Sequence, residues 1–224
     1  MNVQARSGSG ATGTASGTRK SGRPAVAVLN REAITKAALA LIDAKGYDAM
    51  TMKSLATELG VAASALYNHV SSKQDLWIPL QEELMAKLDT SVFQRLPLRS
   101  AMAAWARNYR DVLAEHPRVI AGIATLPVKD SPRTLAQYEA VTSALERGGI
   151  PAVRVVSVLV AFESFIFGSA LDVSAPADIF DSGADAAQYP HFAAAVTQRA
   201  ALPADPTEDA FELGLSALLN VLPS

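Results

Sequence analysis

Between Thr51 and Lys73 the chain reads TMKSLATELGVAASALYNHVSSK, and Ser64, Ala65, Tyr67 and Asn68 in its second half have the chemistry of contact with a nucleic acid. The Ser64 hydroxyl can bond a base edge or a phosphate, the Ala65 methyl can lie against a thymine methyl, and Tyr67 offers a hydroxyl on a rigid arm. Small residues at this point let a helix bring its backbone close to the floor of the major groove. These side chains share an open face only if the segment is helical, from Ala62 or Ala63 to Val70, with Leu66 and Val70 turned inward one turn apart. A preceding helix would start at Thr51, whose hydroxyl can cap exposed N–H groups, and would bury Leu55, Ala56 and Leu59. Gly60 then supplies the left-handed residue that often ends a helix, with Val61 as an apolar plug. Two short helices around a glycine turn are the layout of a helix-turn-helix, which makes double-stranded DNA the first partner to consider.

The bare spacing also fits any compact helical protein, so the surroundings matter. Residues 30–50, NREAITKAALALIDAKGYDAM, supply a helix with Ile34, Ala38, Leu41 and Ile42 on one face, and Arg19, Lys20 and Arg23 lie upstream. Together they make a three-helix head with a basic arm. The arm can reach an adjacent minor groove or phosphates, or remain a solvated tail.

Several motifs in this stretch carry a family resemblance: Gly22-Arg23-Pro24, Lys45-Gly46-Tyr47, Thr51-Met52, Leu55-Ala56, Leu59-Gly60-Val61, Leu66-Tyr67-Asn68-His69-Val70 and Lys73. As a set, over about Gly22 to Leu84, they resemble the tetracycline-repressor (TetR) family of transcriptional regulators. The resemblance implies a homodimer that binds a palindromic operator and a helical domain whose small-molecule effector releases the DNA. It also implies positions: Thr51 and Lys53 near phosphates or base edges, Ala63, Ser64 and Ala65 facing bases, Tyr67 and His69 near the DNA backbone, and Lys73 on a phosphate. For Lys73 there is independent physical support, because a helix start favours anions and a lysine adds a full charge.

The 224-residue chain has a formal net charge of −2, unevenly spread. Up to Asp75 there are 9 Lys+Arg against 5 Asp+Glu, and beyond it 11 against 17, so a head of +4 precedes a body of −6. A modest dipole of this sign would orient the molecule on DNA. The absence of cysteine excludes disulfides and cysteine-based metal or catalytic sites and fits a reducing cytoplasm. No secretory signal is visible at the N-terminus. Residues 1–21, rich in Gly, Ser and Thr, are expected to form a disordered basic tail. Gly8, Gly10 and Gly13 spell a phosphate-loop pattern there, but no strand precedes it and no helix follows.

The remainder reads as helical throughout, giving an all-α fold: a tail (1–21), a helix-turn-helix domain (22–75) and a helical-bundle domain for ligand binding and dimerisation (76–224). Lys73 to about Arg95 is expected as one connecting helix containing Pro79. Further helices are expected over 98–115, from Ser131-Pro132 to Gly148-Gly149, from Pro151 to Asp172, over His191–Arg199 and over Thr207–Leu222. Pro117 to Thr125 is a short segment and Val173–Gln188 a loop. The apolar run Val153–Leu171 contains Arg154 and Glu163, which reads as a core or interface helix rather than a membrane span.

In the body, His116-Pro117, Gln137-Tyr138-Glu139, Gly149 and the Phe165-Phe167-Gly168-Leu171 run are similar to the ligand-binding domain of the tetracycline repressors. Those repressors hold a magnesium–drug chelate through a histidine where this chain has Ile123 and Ala124, so no tetracycline response is expected. His69, His116 and His191 are scattered, and no metal or cofactor is implied. Trp105, Tyr109, Ile123, Tyr138, Phe162, Phe165 and Phe167 are the candidate pocket walls, with Glu163 and Arg110 as polar contacts, although aromatics at helical spacing also serve as plain core. Glu163 stands out because a carboxylate amid Phe and Val is costly unless paired, exposed at an interface or used. The apolar surface of Val153–Leu171, and the stripe Phe211, Leu215, Leu218, Leu219 and Leu222, exceed what one core needs and predict a twofold four-helix interface. Two other readings compete with a ligand-responsive repressor. A helical enzyme lacks any recognisable catalytic constellation here, and a structural DNA-binding protein without effector would be more basic.

Overall fold

The computed structural model describes residues 29–201 and 205–223, and every regular element among them is helical. The tail of residues 1–21, with Arg19 and Lys20, and Arg23 beyond it, lie outside the described residues.

Helix α1 (Arg31–Lys45) opens at Asn30, whose side-chain oxygen accepts the Ala33 N–H at 2.8 Å, and buries the stripe Ile34, Ala38, Leu41 and Ile42. Helix α2 (Met52–Glu58) starts at Thr51 with a reciprocal pair. Ser54 N–H donates to Thr51 Oγ1 at 3.0 Å and Thr51 N–H donates to Ser54 Oγ at 2.9 Å, so two otherwise orphaned donors are satisfied. Gly60 adopts φ 66°, the left-handed turn into α3 (Ala63–Tyr67). Helix α3 is shorter than the expected run to Val70. Asn68 and His69 bond carbonyls only three residues back, yet Val70 still points into the core.

The segment from Lys73 to Arg95 is not one helix. A tight 3-10 turn at Gln74–Leu76 leads into α4 (Trp77–Met85), which stops, and α5 (Val92–Arg95) is separate. Between them the Asp89 N–H donates to Asn108 Oδ1 at 2.9 Å, and the Asp89 carboxylate accepts the Ser91 N–H at 2.9 Å. Short polar side chains that bond nearby backbone compete with the helical ladder, and here they win. Pro79 is tolerated because it sits in the first turn of α4, where its missing N–H has no helical partner to lose.

The body comprises α6 (Leu98–Ala114), a 3-10 turn at Pro117–Val119, α7 (Ile120–Ile123), α8 (Pro132–Arg147), α9 (Ala152–Asp172), α10 (Pro190–Ala200) and α11 (Pro206–Leu219). Helices α6 and α9 form the main packing pair around Trp105, Leu113, Phe162 and Ile166, and α9 also packs on α8 and α11. Although α9 is long and apolar enough to cross a membrane, it buries Val155, Leu159, Phe162, Ile166 and Ala170 in this core together with Glu163. The stretch Val173–Gln188, expected as loop, contains a 3-10 turn at Gly183–Ala187, on which α10 packs without burying any residue.

The apolar stripe of α11 faces inward rather than outward. Phe211 and Leu215 are buried and the Phe211 ring stacks on Phe165 at 5.3 Å, so this stripe fastens α11 to α9 within one chain. Among the apolar residues left exposed are Val153 (85% exposed), Val156 and Val160 on α9 and Leu213 on α11.

Head and body meet at α4, which packs on α1 and on α8 and α7. Trp77 stacks on Tyr47 at 4.4 Å, and Gly122 of α7 lies so close to the Trp77 ring that any Cβ there would overlap it. Gly122→Ala is therefore expected to destabilise the chain by about 1–3 kcal/mol, as overpacking does. Urea unfolding of the variant checks this.

Candidate functional site

The outer surface of the head is set by which residues α2 and α3 must bury. Leu55, Ala56, Leu66 and Val70 are consumed by the core. That leaves Thr51, Lys53, Ala63 and Ser64 exposed, Ala65 half-buried and Tyr67 51% exposed. The predicted base-facing residues thus share one open surface, with Lys53 as an exposed cation beside it. His69 is half-buried and lines a crevice of about 300 Å³ with Arg31, Asp75, Pro79 and Asp130, behind the recognition helix. Lys73 precedes the 3-10 turn rather than starting a helix. Its Nζ sits 3.9 Å over the Tyr47 ring and 3.5 Å from the Asp48 carbonyl oxygen, so its charge is engaged at the joint with α1. A capping pair brackets it, Ser72 N–H to Asp75 Oδ2 at 3.0 Å and Asp75 N–H to Ser72 Oγ at 3.3 Å. Ser-x-x-Asp is the sequence signature of this cap.

Polar ties reinforce the joint around α4. His116 Nδ1 lies 2.7 Å from Asp43 of α1, while Lys87 Nζ is 3.3 Å from His116 Nε2 and 3.1 Å from Glu115. Glu82 of α4 caps α8: its carboxylate accepts the backbone N–H groups of Arg133 at 2.9 Å and Thr134 at 3.1 Å, and the Thr134 hydroxyl at 3.1 Å. A carboxylate at a helix N-terminus is favoured both by hydrogen bonding and by the helix dipole.

Inside the body, α6, α8 and α9 bring Trp105, Tyr109, Tyr138, Phe162 and Glu163 together. The Trp105 ring lies 5.6 Å from Tyr109 and 6.5 Å from Phe162, and Phe167 meets Tyr109 edge-on at 5.8 Å. Glu163, 8% exposed, accepts hydrogen bonds from the Tyr138 hydroxyl at 3.0 Å and weakly from Tyr109 at 3.4 Å. Burial raises its pKa from 4.5 to about 6, against the lowering effect of the two hydroxyls. The same burial, with the Glu163 charge second, holds both tyrosines above their ordinary range.

Gln137, which sequence reasoning left out of the pocket, belongs to this neighbourhood. It is 2% exposed, and both its amide oxygen and nitrogen lack hydrogen-bond partners, as does Trp105 Nε1. Its signal was a polar residue on the buried stripe of α8, one turn before Val141. Ile123 is buried in α7, which packs on α4. Phe165 and Arg110 belong elsewhere: both rest on Phe211, and Arg110 pairs with Asp111 at 2.9 Å and lies 2.7 Å from Glu208, an ion pair without hydrogen-bond alignment. Among the described residues no group of His, Asp and Glu is arranged to hold a metal ion.

A helix-turn-helix head with an exposed second helix, joined to an all-helical body, is the two-domain arrangement of helical transcriptional regulators. Residues 34–78 match the family model described as bacterial regulatory proteins, tetR family, and residues 97–222 match that of the tetracyclin repressor-like C-terminal domain. The chain belongs to the TetR family of transcriptional regulators. An HTH-type transcriptional regulator of Saccharopolyspora erythraea is 30% identical over 142 residues, which is 63% of this chain and 60% of that protein. The tetracycline repressor protein class A from transposon 1721 of Escherichia coli is 30% identical over 203 residues, 87% of this chain and 90% of that one. The crystal structure of a possible TetR family regulator from Streptomyces coelicolor A3(2) shares the fold with a TM-score of 0.73 at 25% identity, covering 85% of this chain and 97% of its own. ActR of Streptomyces coelicolor, solved in complex with actinorhodin, shares it with a TM-score of 0.67 at 23% identity, covering 87% and 96%. Relatives named as transcriptional regulators set aside the enzymatic reading.

Glu163 carries a stability consequence. The folded chain holds this proton more tightly than the unfolded chain between pH 4.5 and about 6, so stability falls as pH rises through that window. At neutral pH the cost is of the order of 2 kcal/mol. Glu163→Gln is expected to unfold at a higher urea concentration than the parent chain at pH 7.5 and to lose most of the difference at pH 4.5.

Proposed function

We propose that this chain is a small-molecule-responsive repressor that binds an inverted-repeat operator as a homodimer and leaves it when an effector occupies the body. The observation that carries the reading is the pairing, across α4, of an exposed recognition face with a buried site whose polar atoms lack partners. Such atoms are costly to leave unmatched, and a ligand supplies the match. The actinorhodin complex of ActR supports a small-molecule partner for this fold.

On the DNA, Ala63, Ser64 and Ala65 face bases in the major groove while Thr51, Lys53 and Tyr67 meet phosphates at its edge. His69 and Lys73 support the recognition helix from behind, and Lys73 contacts a phosphate only by leaving the Tyr47 ring. In the body, Trp105, Tyr109, Gln137, Tyr138, Phe162 and Glu163 form the effector site, while Ile123 packs toward α4 and Phe165 toward Phe211. Val153, Val156 and Val160, one side of α9, meet their twofold copies with Leu213 of α11 at the rim. That symmetry sets two recognition helices about 34 Å apart or a little more, hence the inverted repeat. A chromosomal target places the protein in the cytoplasm.

Release follows from the tie at Glu82. An effector that draws Gln137 and Tyr138 toward itself moves α8, whose N-terminus is held by α4, and α4 carries the head with it. The effector must bind the DNA-free arrangement more tightly, and a coupling of about 1–3 kcal/mol is usual.

Selection of random duplexes on the purified chain tests the reading: an enriched inverted repeat is expected, and unenriched DNA would refute it. With that site as probe, Lys53→Ala should weaken all duplexes alike and reduce the salt slope of the dimer by about two, one per half-site, whereas Ser64→Ala should relax preference at one base pair of each half-site by about 1–3 kcal/mol. Val156→Glu should give a folded monomer by sedimentation that no longer discriminates the repeat from a half-site.

A further inference from the structure

Glu163 is a buried carboxylate without a counter-charge. Tyr109 from α6 and Tyr138 from α8 are the titratable groups that face it, and among the described residues no lysine, arginine or histidine lies within ion-pair distance. Arg110, one residue from Tyr109, is committed to Asp111, Glu208 and the Phe211 ring. Two hydroxyl donors, one of them distant, do not replace the hydration of a carboxylate, so the site retains an unmet demand for positive charge. A metal ion does not answer it, since a lone carboxylate offers too few ligands.

The walls favour the same kind of guest. Tyr109 and Tyr138 reach the carboxylate, and Trp105, Phe162 and Phe167 belong to the same aromatic cluster through Tyr109 and Trp105; aromatic faces attract cations most strongly where water is excluded. Trp105 Nε1 has a hydrogen to donate and no aligned acceptor in the chain, and the Gln137 amide, which lies beside the Tyr109 hydroxyl, can both donate and accept.

We propose that the effector is an organic cation: an aromatic amine whose charged nitrogen pairs with Glu163 between the rings, and which bears an oxygen or N–H function for Trp105 and Gln137. This rests on the effector reading above. A neutral or anionic analogue of the same shape leaves the carboxylate buried and uncompensated, so the site discriminates by charge as well as by fit. Because burial lifts Glu163 to about 6, it is ionised at neutral pH and mostly protonated at about pH 5, which makes wild-type binding itself report on the group.

Purified full chain would be titrated by calorimetry with 1-naphthylmethylamine and 9-phenanthrenylmethylamine, each beside its N-acetyl counterpart, at pH 7.5 and 5.0. The amines are expected to bind at least tenfold more tightly than their neutral counterparts at pH 7.5, and to lose about tenfold in affinity at pH 5.0. In Glu163→Gln the advantage of the amine over its neutral counterpart should vanish, and with it the dependence of amine affinity on pH. Equal binding of amine and N-acetyl compound, amine affinity unchanged by the substitution or by pH, or no amine binding at all would each overturn the cation assignment. Charge-selective binding that leaves the complex with the selected duplex intact would uphold the cation site and refute effector-driven release instead.

Discussion

Helix α4 serves two cores at once, and the rest of the structure is arranged around that obligation. Its nine residues turn Leu80 and Leu84 completely inward, with Gln81 and Met85 beside them, and the helix packs on α1 on one side and on α8 and α7 on the other. Three short helices bury too little surface to be stable by themselves, so the head borrows α4 to close its hydrophobic face. The body borrows it too. The Trp77 ring pressed between Tyr47 and Gly122 and the Glu82 carboxylate on the start of α8 make the sharing specific: one contact fixes distance and the other orientation.

Against this rigid joint the interior of the body is under-satisfied. A native core pairs nearly all of its buried polar atoms. Here the indole nitrogen of Trp105 and both ends of the Gln137 amide are left over, within a cluster that also buries an ionised carboxylate. Other unmatched buried atoms among the described residues lie at Asp43, Tyr47, Gln81, Arg110 and Ser131, but only here do they adjoin a buried carboxylate without a counter-charge. Strain or poor pairing at a functional site is tolerable when the surrounding packing is strong, and the α6–α9 interface around Trp105 and Phe162 supplies that strength.

What was legible in the sequence was local. Periodicity placed the stripes of α1, α6 and α9, and prolines marked the starts of α6, α8 and α9, so the all-α architecture and the exposed face of α3 could be written down before any coordinate. Glu163 announced itself as a carboxylate among phenylalanines. What failed depended on partners far along the chain. The break after Met85 is enforced by Asn108, the cap of α8 comes from Glu82, and the positions of Phe165 and Arg110 are set by Phe211. The stripe of α11 shows the limit most plainly: periodicity says that a face is buried, and not whether its own chain or another copy buries it.

The Glu82 cap has a bearing on how such a molecule can change its specificity. Two of its three bonds go to main-chain N–H groups, which every residue except proline possesses. The linkage is therefore largely indifferent to the side chains of α8. Residues farther along that helix, where the buried amide and phenol lie, are free to be exchanged for others that suit a different molecule without dismantling the lever that reports its arrival. Transmission is written in the backbone and taste in the side chains, so a lineage could diversify the second while inheriting the first.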